Sequence, residues 1–177
     1  MPYSPTALGG IDADRFGVKK NTGWLWIADG GLTDTTNFVP TEVEINSTTN
    51  SRDLTCSVQG FTGFTGSPRY AEAQDLCSDV DGKVADGVSL DDSSISFYLA
   101  TDAGDALAFF DEGDRGYVYH SPYGRFDTGT AAGKTAWAWK AEVSFVTPSP
   151  AMAGHAMGVV SFGILARRKV TLPAATT

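Results

Sequence analysis

Residues Val88 to Ser121, VSLDDSSISFYLATDAGDALAFFDEGDRGYVYHS, decide how the chain is read. Ile95, Phe97 and Leu99 alternate with Ser94, Ser96 and Tyr98, the two-residue period of a half-buried strand. Thr101 or Asp102 then stands where a helix cap is expected, and Asp105 adds negative charge to the first turn. Ala103, Ala106, Leu107 and Phe110 recur at helical spacing, and Phe109 widens that apolar stripe. Gly113 follows at the C-terminal cap position, and Tyr117-Val118-Tyr119 opens another strand. The spacing therefore predicts strand, helix over 102–112, strand. No other stretch is as clearly helical, so the chain is expected to be mostly β: a β-sandwich or partly closed barrel with one flanking α-helix.

Working outward, 177 residues suit one domain with a sizeable core. A hydrophobic fraction of 42% with 19% charged residues belongs to a globular chain, not a disordered one. The net charge of −8 excludes a basic nucleic-acid footprint. No apolar run approaches the roughly 20 residues of a spanning helix, so no membrane partner is expected. Met1-Pro2-Tyr3-Ser4-Pro5 lacks the basic start and apolar block of a secretory signal, which points to synthesis and use in the cytosol of the producing cell. Cys56 and Cys77 are the only cysteines and leave two readings open, buried thiols or a single bridge.

Residues 1–22 carry prolines and glycines with little apolar periodicity and read as an extended arm needing outside support. A single domain then spans 23–172, followed by a short tail over 173–177. Trp24 and Trp26 sit two apart in a strand-like block and point the same way. They serve as core filling, as a subunit contact or as a stacking platform for a sugar. Thr41 to Ile45 is either a strand or one helical turn capped by Thr41, with Glu44 at the third position. Leu54, Cys56 and Val58 alternate with Thr55, Ser57 and Gln59, as in a strand with one dry and one wet face. Residues 67–87 are rich in turn formers and acids and read as a long loop. Trp137, Trp139, Val143 and Phe145 mark a strand ended by Pro148 and Pro150, and Val159 to Val170 is the last strand.

The motifs that tempt a chemical reading fail on spacing. Gly133-Lys134-Thr135 would need a glycine at position 128 to make a phosphate loop, and Thr128 stands there. Counted from Asp79, a calcium loop would need glycine at the sixth position and a bidentate acid at the twelfth, where Val84 and Leu90 stand. Ser161 is not in a nucleophile elbow, because Val159 replaces the first glycine. Only His120 and His155 could complete a zinc site, and neither Cys56 nor Cys77 lies in a ligand-spaced pair, so zinc is not expected. No catalytic residue, metal or cofactor is expected, and the chain is not read as an enzyme.

Several stretches together resemble the major tail tube proteins of long-tailed phages, especially phages of actinobacteria. They are Gly23-Trp24-Leu25-Trp26-Ile27-Ala28, Pro40 to Ile45 followed by Asp53-Leu54-Thr55-Cys56, and Asp91 to Leu99. Asp114 to Gly124, Ala131-Ala132-Gly133-Lys134, the strand through Phe145 and Ile164-Leu165-Ala166 complete the likeness. The resemblance implies a virion protein that joins its own copies into rings of six, stacked as a hollow tube. Its implied partners are the tape-measure, tail-tip initiator and terminator proteins, with DNA in transient passage. Thr55, Ser57, Gln59, Glu142 and Ser144 are the expected bore-facing residues, and Trp24, Trp26, Arg167, Arg168 and Lys169 the expected subunit contacts. Six copies of so acidic a chain would line a bore that repels phosphates. The competing expectation is a carbohydrate- or receptor-binding β-sandwich of a virion, stacking sugars on its tryptophans.

Overall fold

The computed structural model describes residues 22–55, 57–73, 82–98, 109–126, 131–149 and 157–174. The expected arm over 1–22 lies outside these residues except for Thr22, as do the helix over 102–112 except its last four residues, both cysteines and the end of the tail. The described strands are β1 (Gly23–Ala28), β2 (Ser51–Asp53), β3 (Val58–Thr62), β4 (Gly66–Ala73), β5 (Gly82–Leu90), β6 (Ser93–Tyr98), β7 (Arg115–Ser121), β8 (Thr135–Ser149) and β9 (Met157–Thr171). They form a seven-stranded sheet in the order β2-β1-β7-β8-β9-β6-β3 and a separate β4-β5 pair. The chain is mostly β, and it divides into two compact units. One holds the chain up to Cys56, Val118–Ala138 and Arg168 onward; the other holds Ser57–Tyr117 and Trp139–Arg167.

In the first unit, β1 is buried on both sides, from Gly23 through Ile27. The three-residue β2 pairs with it antiparallel, Leu25 facing Asp53 and Ile27 facing Ser51. Between these strands the ambiguous stretch resolves into one helical turn, α1 (Glu42–Ile45), closed by a capping box. The Glu44 N–H donates to Thr41 Oγ1 at 3.3 Å, and the Thr41 N–H donates back to Glu44 Oε2 at 2.7 Å. Hydrogen bonds from Thr33 and Thr41 outweigh the effect of burial and hold the Glu44 carboxyl below its ordinary range. Phe38 takes a left-handed conformation, φ 60°, and its carbonyl accepts the buried Tyr119 hydroxyl at 3.1 Å.

In the second unit, antiparallel registers set Ile95 against Val160 and Phe61, and Phe97 against Gly158 and Val58. Ile95, Phe97, Val143, Val160 and Phe162 are thereby buried together with Trp139 and Phe110. Phe110 meets Phe97 and Phe162 at centroid distances of 6.0 and 5.8 Å. Phe64 lies edge-on to Trp139 at 5.2 Å. Its backbone is also left-handed, φ 58°, and its N–H donates to Ser93 Oγ at 2.7 Å. Each such fully buried side chain stabilises the fold by roughly 1.5–3 kcal/mol.

Three expectations are corrected. Leu54 to Gln59 is not one strand: β2 stops at Asp53 and β3 begins at Val58, and the two stand at opposite ends of the strand order. Local polar bonds break the strand there. Asp53 Oδ1 accepts the Thr55 N–H at 2.8 Å, and Thr55 Oγ1 both accepts the Trp24 N–H and donates to its carbonyl. Within the segment over 67–87, the described residues 67–73 and 82–87 are not loop but lie in the paired strands β4 and β5, Gly66 facing Leu90 and Ala73 facing Gly82. A two-stranded ribbon has two edges, so it tolerates Pro68 and shows little apolar alternation. Pro148 does not end β8, which continues to Ser149.

Gly63 has φ +77°, and a Cβ added there would lie 2.5 Å from the Asp92 carbonyl oxygen and 2.8 Å from Ser93 Cα. Gly63→Ala is expected to cost about 1–3 kcal/mol through backbone strain and displacement of the Ser93 clasp. A urea titration that left the midpoint unchanged would contradict this reading of the turn.

Candidate functional face

Pairing in the second unit puts polar side chains on the face opposite the core. Thr62 of β3 faces Ser94 of β6, and Ser94 in turn faces Ser161 of β9. Directly opposed residues of antiparallel strands project to the same side. Ser144 of β8 continues the series, its Oγ donating to the Ser161 carbonyl at 3.1 Å. Four hydroxyls thus cross four adjacent strands, a row of about 14 Å at three inter-strand spacings. The next row holds Gly60, Ser96 and Val159, again small or short. The opposite parity carries Ile95, Phe97, Val143, Val160 and Phe162, so the two faces are chemically separate.

Beside Ser144, the outward Glu142 accepts from Arg115 Nε at 2.6 Å. The side chains are 59% and 38% exposed, so solvent screens the pair and it adds little to stability. Its consequence is electrical: the Glu142 carboxylate carries its own counter-charge. The adjacent turn adds exposed acids at Asp111, Glu112 and Asp114. There Asp114 Oδ2 accepts the Asp111 N–H at 3.0 Å, and Glu112 Oε1 accepts the Val146 N–H at 3.4 Å.

The structure brings two of the five expected bore residues together, Glu142 and Ser144. Thr55 is half-buried in the first unit with its hydroxyl tied to Trp24. Ser57 precedes β3, and Gln59 is the extra residue of a bulge between Val58 and Gly60, outside the regular ladder. Sequence reasoning missed Thr62, Ser161 and Arg115, which join the face only through cross-strand register. The alternation of Ser94 and Ser96 was the one local signal.

Among the expected contact residues, Trp24 and Trp26 are 3% and 2% exposed, so the chain itself encloses both rings. Arg167, Arg168 and Lys169 are exposed. Arg167 lines a cleft of about 430 Å³ with Gly66, Pro68, Val88 and Leu90. The Arg168 guanidinium stands over the Phe38 ring, 5.8 Å from its centroid. Neither that cleft nor a smaller one of about 70 Å³ beside α1 gathers a nucleophile, a base and a donor. Among the described residues no three His, Cys, Asp or Glu side chains are grouped to hold a metal ion. No described helix is long and apolar enough to cross a membrane.

His120 is stacked on Trp24 in the first unit, ring centroids 4.4 Å apart. Burial pushes its imidazole down from 6.5 to about 4, so it is neutral at pH 7.

Comparison with known proteins places this geometry. Residues 12–177 match the family described as phage tail tube protein. No curated protein sequence matches the chain. Among solved structures, the chain is similar to a component of an extracellular contractile injection system, the PVC sheath-tube complex in its extended state. There the TM-score is 0.56 at 10% identity, covering 96% of this chain and 99% of the other. The SPP1 tail tube gives a TM-score of 0.52 at 13% identity, covering 85% and 77%. The tube terminating cap of the anti-feeding prophage gives 0.55 at 11%, covering 92% and 99%. At these identities the likeness is one of fold.

Two outcomes follow from the side-chain geometry. The unfolded chain binds a proton at His120 below pH 6.5 whereas the folded chain resists it to about 4, so stability falls as pH drops through that window. Unfolding free energies from denaturant titrations at pH 7 and pH 4.5 are expected to differ more for the wild type than for His120→Phe, by about 2 kcal/mol; equal differences would refute the assignment. Glu142→Gln is expected to change stability by less than about 1 kcal/mol, and a larger loss in thermal unfolding would show that the Arg115 pair is structural.

Proposed function

Because the chain belongs to the phage tail tube protein family, we propose that its copies close into rings of six that stack into a hollow tube delivering the viral genome. The family match across residues 12–177 carries this reading. The chain is a component of the virion tail, and its role is structural rather than catalytic. The fold's likeness to tube components supports the ring-and-tube part of the proposal. Its likeness to a tube terminating cap and to a baseplate component fits an assembly whose two ends meet other proteins of related fold. Those partners are a tail-tip initiator at one end and a terminator at the other, with a tape-measure protein inside during assembly.

Copies meet through surfaces other than the two enclosed tryptophans. Arg167, Arg168 and Lys169, exposed on an otherwise acidic chain, are the proposed cationic contacts with acids of neighbouring copies. Such a head-to-tail contact either closes a ring or runs on as a filament. The sugar-binding alternative is left with the half-buried Trp137 alone, since Trp24, Trp26 and Trp139 are buried.

Purified protein at high concentration, imaged in negative stain, is expected to show rings or tubes. A stable lone subunit in light scattering and in images, unchanged by addition of the phage's tail-tip complex, would overturn the proposal.

A further inference from the structure

The two-stranded ribbon β4-β5 joins the second unit through two short connections, Gly63-Phe64-Thr65 before β4 and Asp91-Asp92 after β5. Both are pinned. Gly63 and Phe64 are left-handed, φ 77° and 58°, a conformation that a phenylalanine keeps only where its surroundings hold it. The Phe64 ring is 6% exposed and meets Trp139 and Phe162 at centroid distances of 5.2 and 6.1 Å. Its N–H donates to Ser93 Oγ at 2.7 Å, and that hydroxyl donates on to the Asp91 carbonyl at 3.2 Å. The Thr65 hydroxyl donates to Asp91 Oδ2 at 3.0 Å, and the Asp91 N–H to the Thr65 carbonyl at 3.5 Å. The two connections are thus tied to each other and to the core.

Beyond this joint the ribbon carries an apolar side. Pro68 pairs with Val88 and Gly66 with Leu90, so all four share one side. They line the cleft of about 430 Å³ that Arg167 completes, and Val88 is 60% exposed. A two-stranded ribbon with such a side uncovered is marginal in water by itself. We propose that the joint is a positioning device: it holds the ribbon at one angle to the sheet, so that the apolar side meets a second copy of the chain already in place. This rests on the tube reading above. The occupant is a second copy because the cleft combines apolar side chains with a cation, on a chain of net charge −8. Every copy offers the complement, the exposed Phe145 beside the exposed acids Asp111, Glu112 and Asp114, with Glu112 bonded to the Val146 N–H. Ser144, next to Phe145, bonds at Ser161 of β9, whereas Arg167 stands farther along that strand by roughly 20 Å at the usual rise. Two unlike surfaces set well apart suit a head-to-tail contact. A loose ribbon would have to be ordered at every such contact, which lowers affinity.

Spin labels at Arg69→Cys on β4 and Ser144→Cys on β8, in a Cys56→Ser, Cys77→Ser background, read the angle as a distance in unassembled subunits. Ser93→Ala removes both bonds of the buried hydroxyl, Thr65→Val removes only the exposed one, and Asp91→Asn keeps an acceptor for Thr65. The expected result is one narrow distance for the intact joint and for Asp91→Asn, and broadened distances for the other two. Without labels, Ser93→Ala and Thr65→Val are expected to raise the protein concentration needed for tubes about tenfold, as preorganisation is lost. Asp91→Asn is expected to leave it unchanged. Should Ser93→Ala not fold, the two readings on Thr65→Val decide. A broad distance in the intact joint, no broadening in the variants, or broadening with no change in that concentration would each overturn the positioning role. Val88→Asp, beyond the joint, is expected to keep the narrow distance and abolish tubes; normal tubes from it would overturn the contact with a second copy. Failure of the unsubstituted protein to assemble overturns the tube reading first, while the distances still decide whether the joint is rigid.

Discussion

The pairing register of β6 between β3 and β9 is the constraint on which the rest of the second unit depends. With Ser94 set against Thr62 and Ser161, Ile95 necessarily faces Phe61 and Val160. A slip of one residue would send the hydroxyls into the core and Ile95 and Phe97 into water. Several buried apolar side chains oppose that slip at once, each worth roughly 1.5–3 kcal/mol. The outer face therefore does not need stabilising interactions of its own. It is free to be short, polar and weakly interacting because the opposite face fixes its geometry.

The same division explains where polar bonds concentrate. Apart from the Ser144 hydroxyl bonded to the Ser161 carbonyl, those named here lie at turns and strand ends. Asp53, Thr55 and Trp24 close the end of β2, Ser93 holds the left-handed Phe64, and the capping box starts α1. Asp34 does similar work in the first unit, accepting the N–H groups of Thr36 and Asn37 at 3.2 and 2.9 Å. Hydrogen bonds to its charged form, led by that from Asn37, hold its carboxyl below the ordinary range. These contacts fix the path of the backbone at the ends of the strands.

The strands with one dry face were legible, since alternation in Ile95-Ser96-Phe97 and in Ala141-Glu142-Val143 carries the signal directly. Ala136 and Ala138 broke the pattern because buried positions in β8 change parity at Trp139, where the chain passes from one compact unit to the other. Residues 67–87 hid their strands because the ribbon they build imposes no two-residue period. Thr41 carried an ambiguous signal, settled only by the reciprocal bonds with Glu44. The functional face was legible at single residues but not as a surface. Ser144 and Glu142 were visible as outward positions, while Thr62, Ser161 and Arg115 are distant in sequence and meet only through register. Thr55 looked similar on paper, but its hydroxyl is used to close a strand end.

A three-dimensional reconstruction of the assembled protein, at a resolution that traces β6 and β9, is the most direct measure of the central claim. The account predicts copies closed into rings of six around an open central channel, with β6 paired between β3 and β9 in every copy. A lone subunit, or an assembly without a central channel, would contradict it.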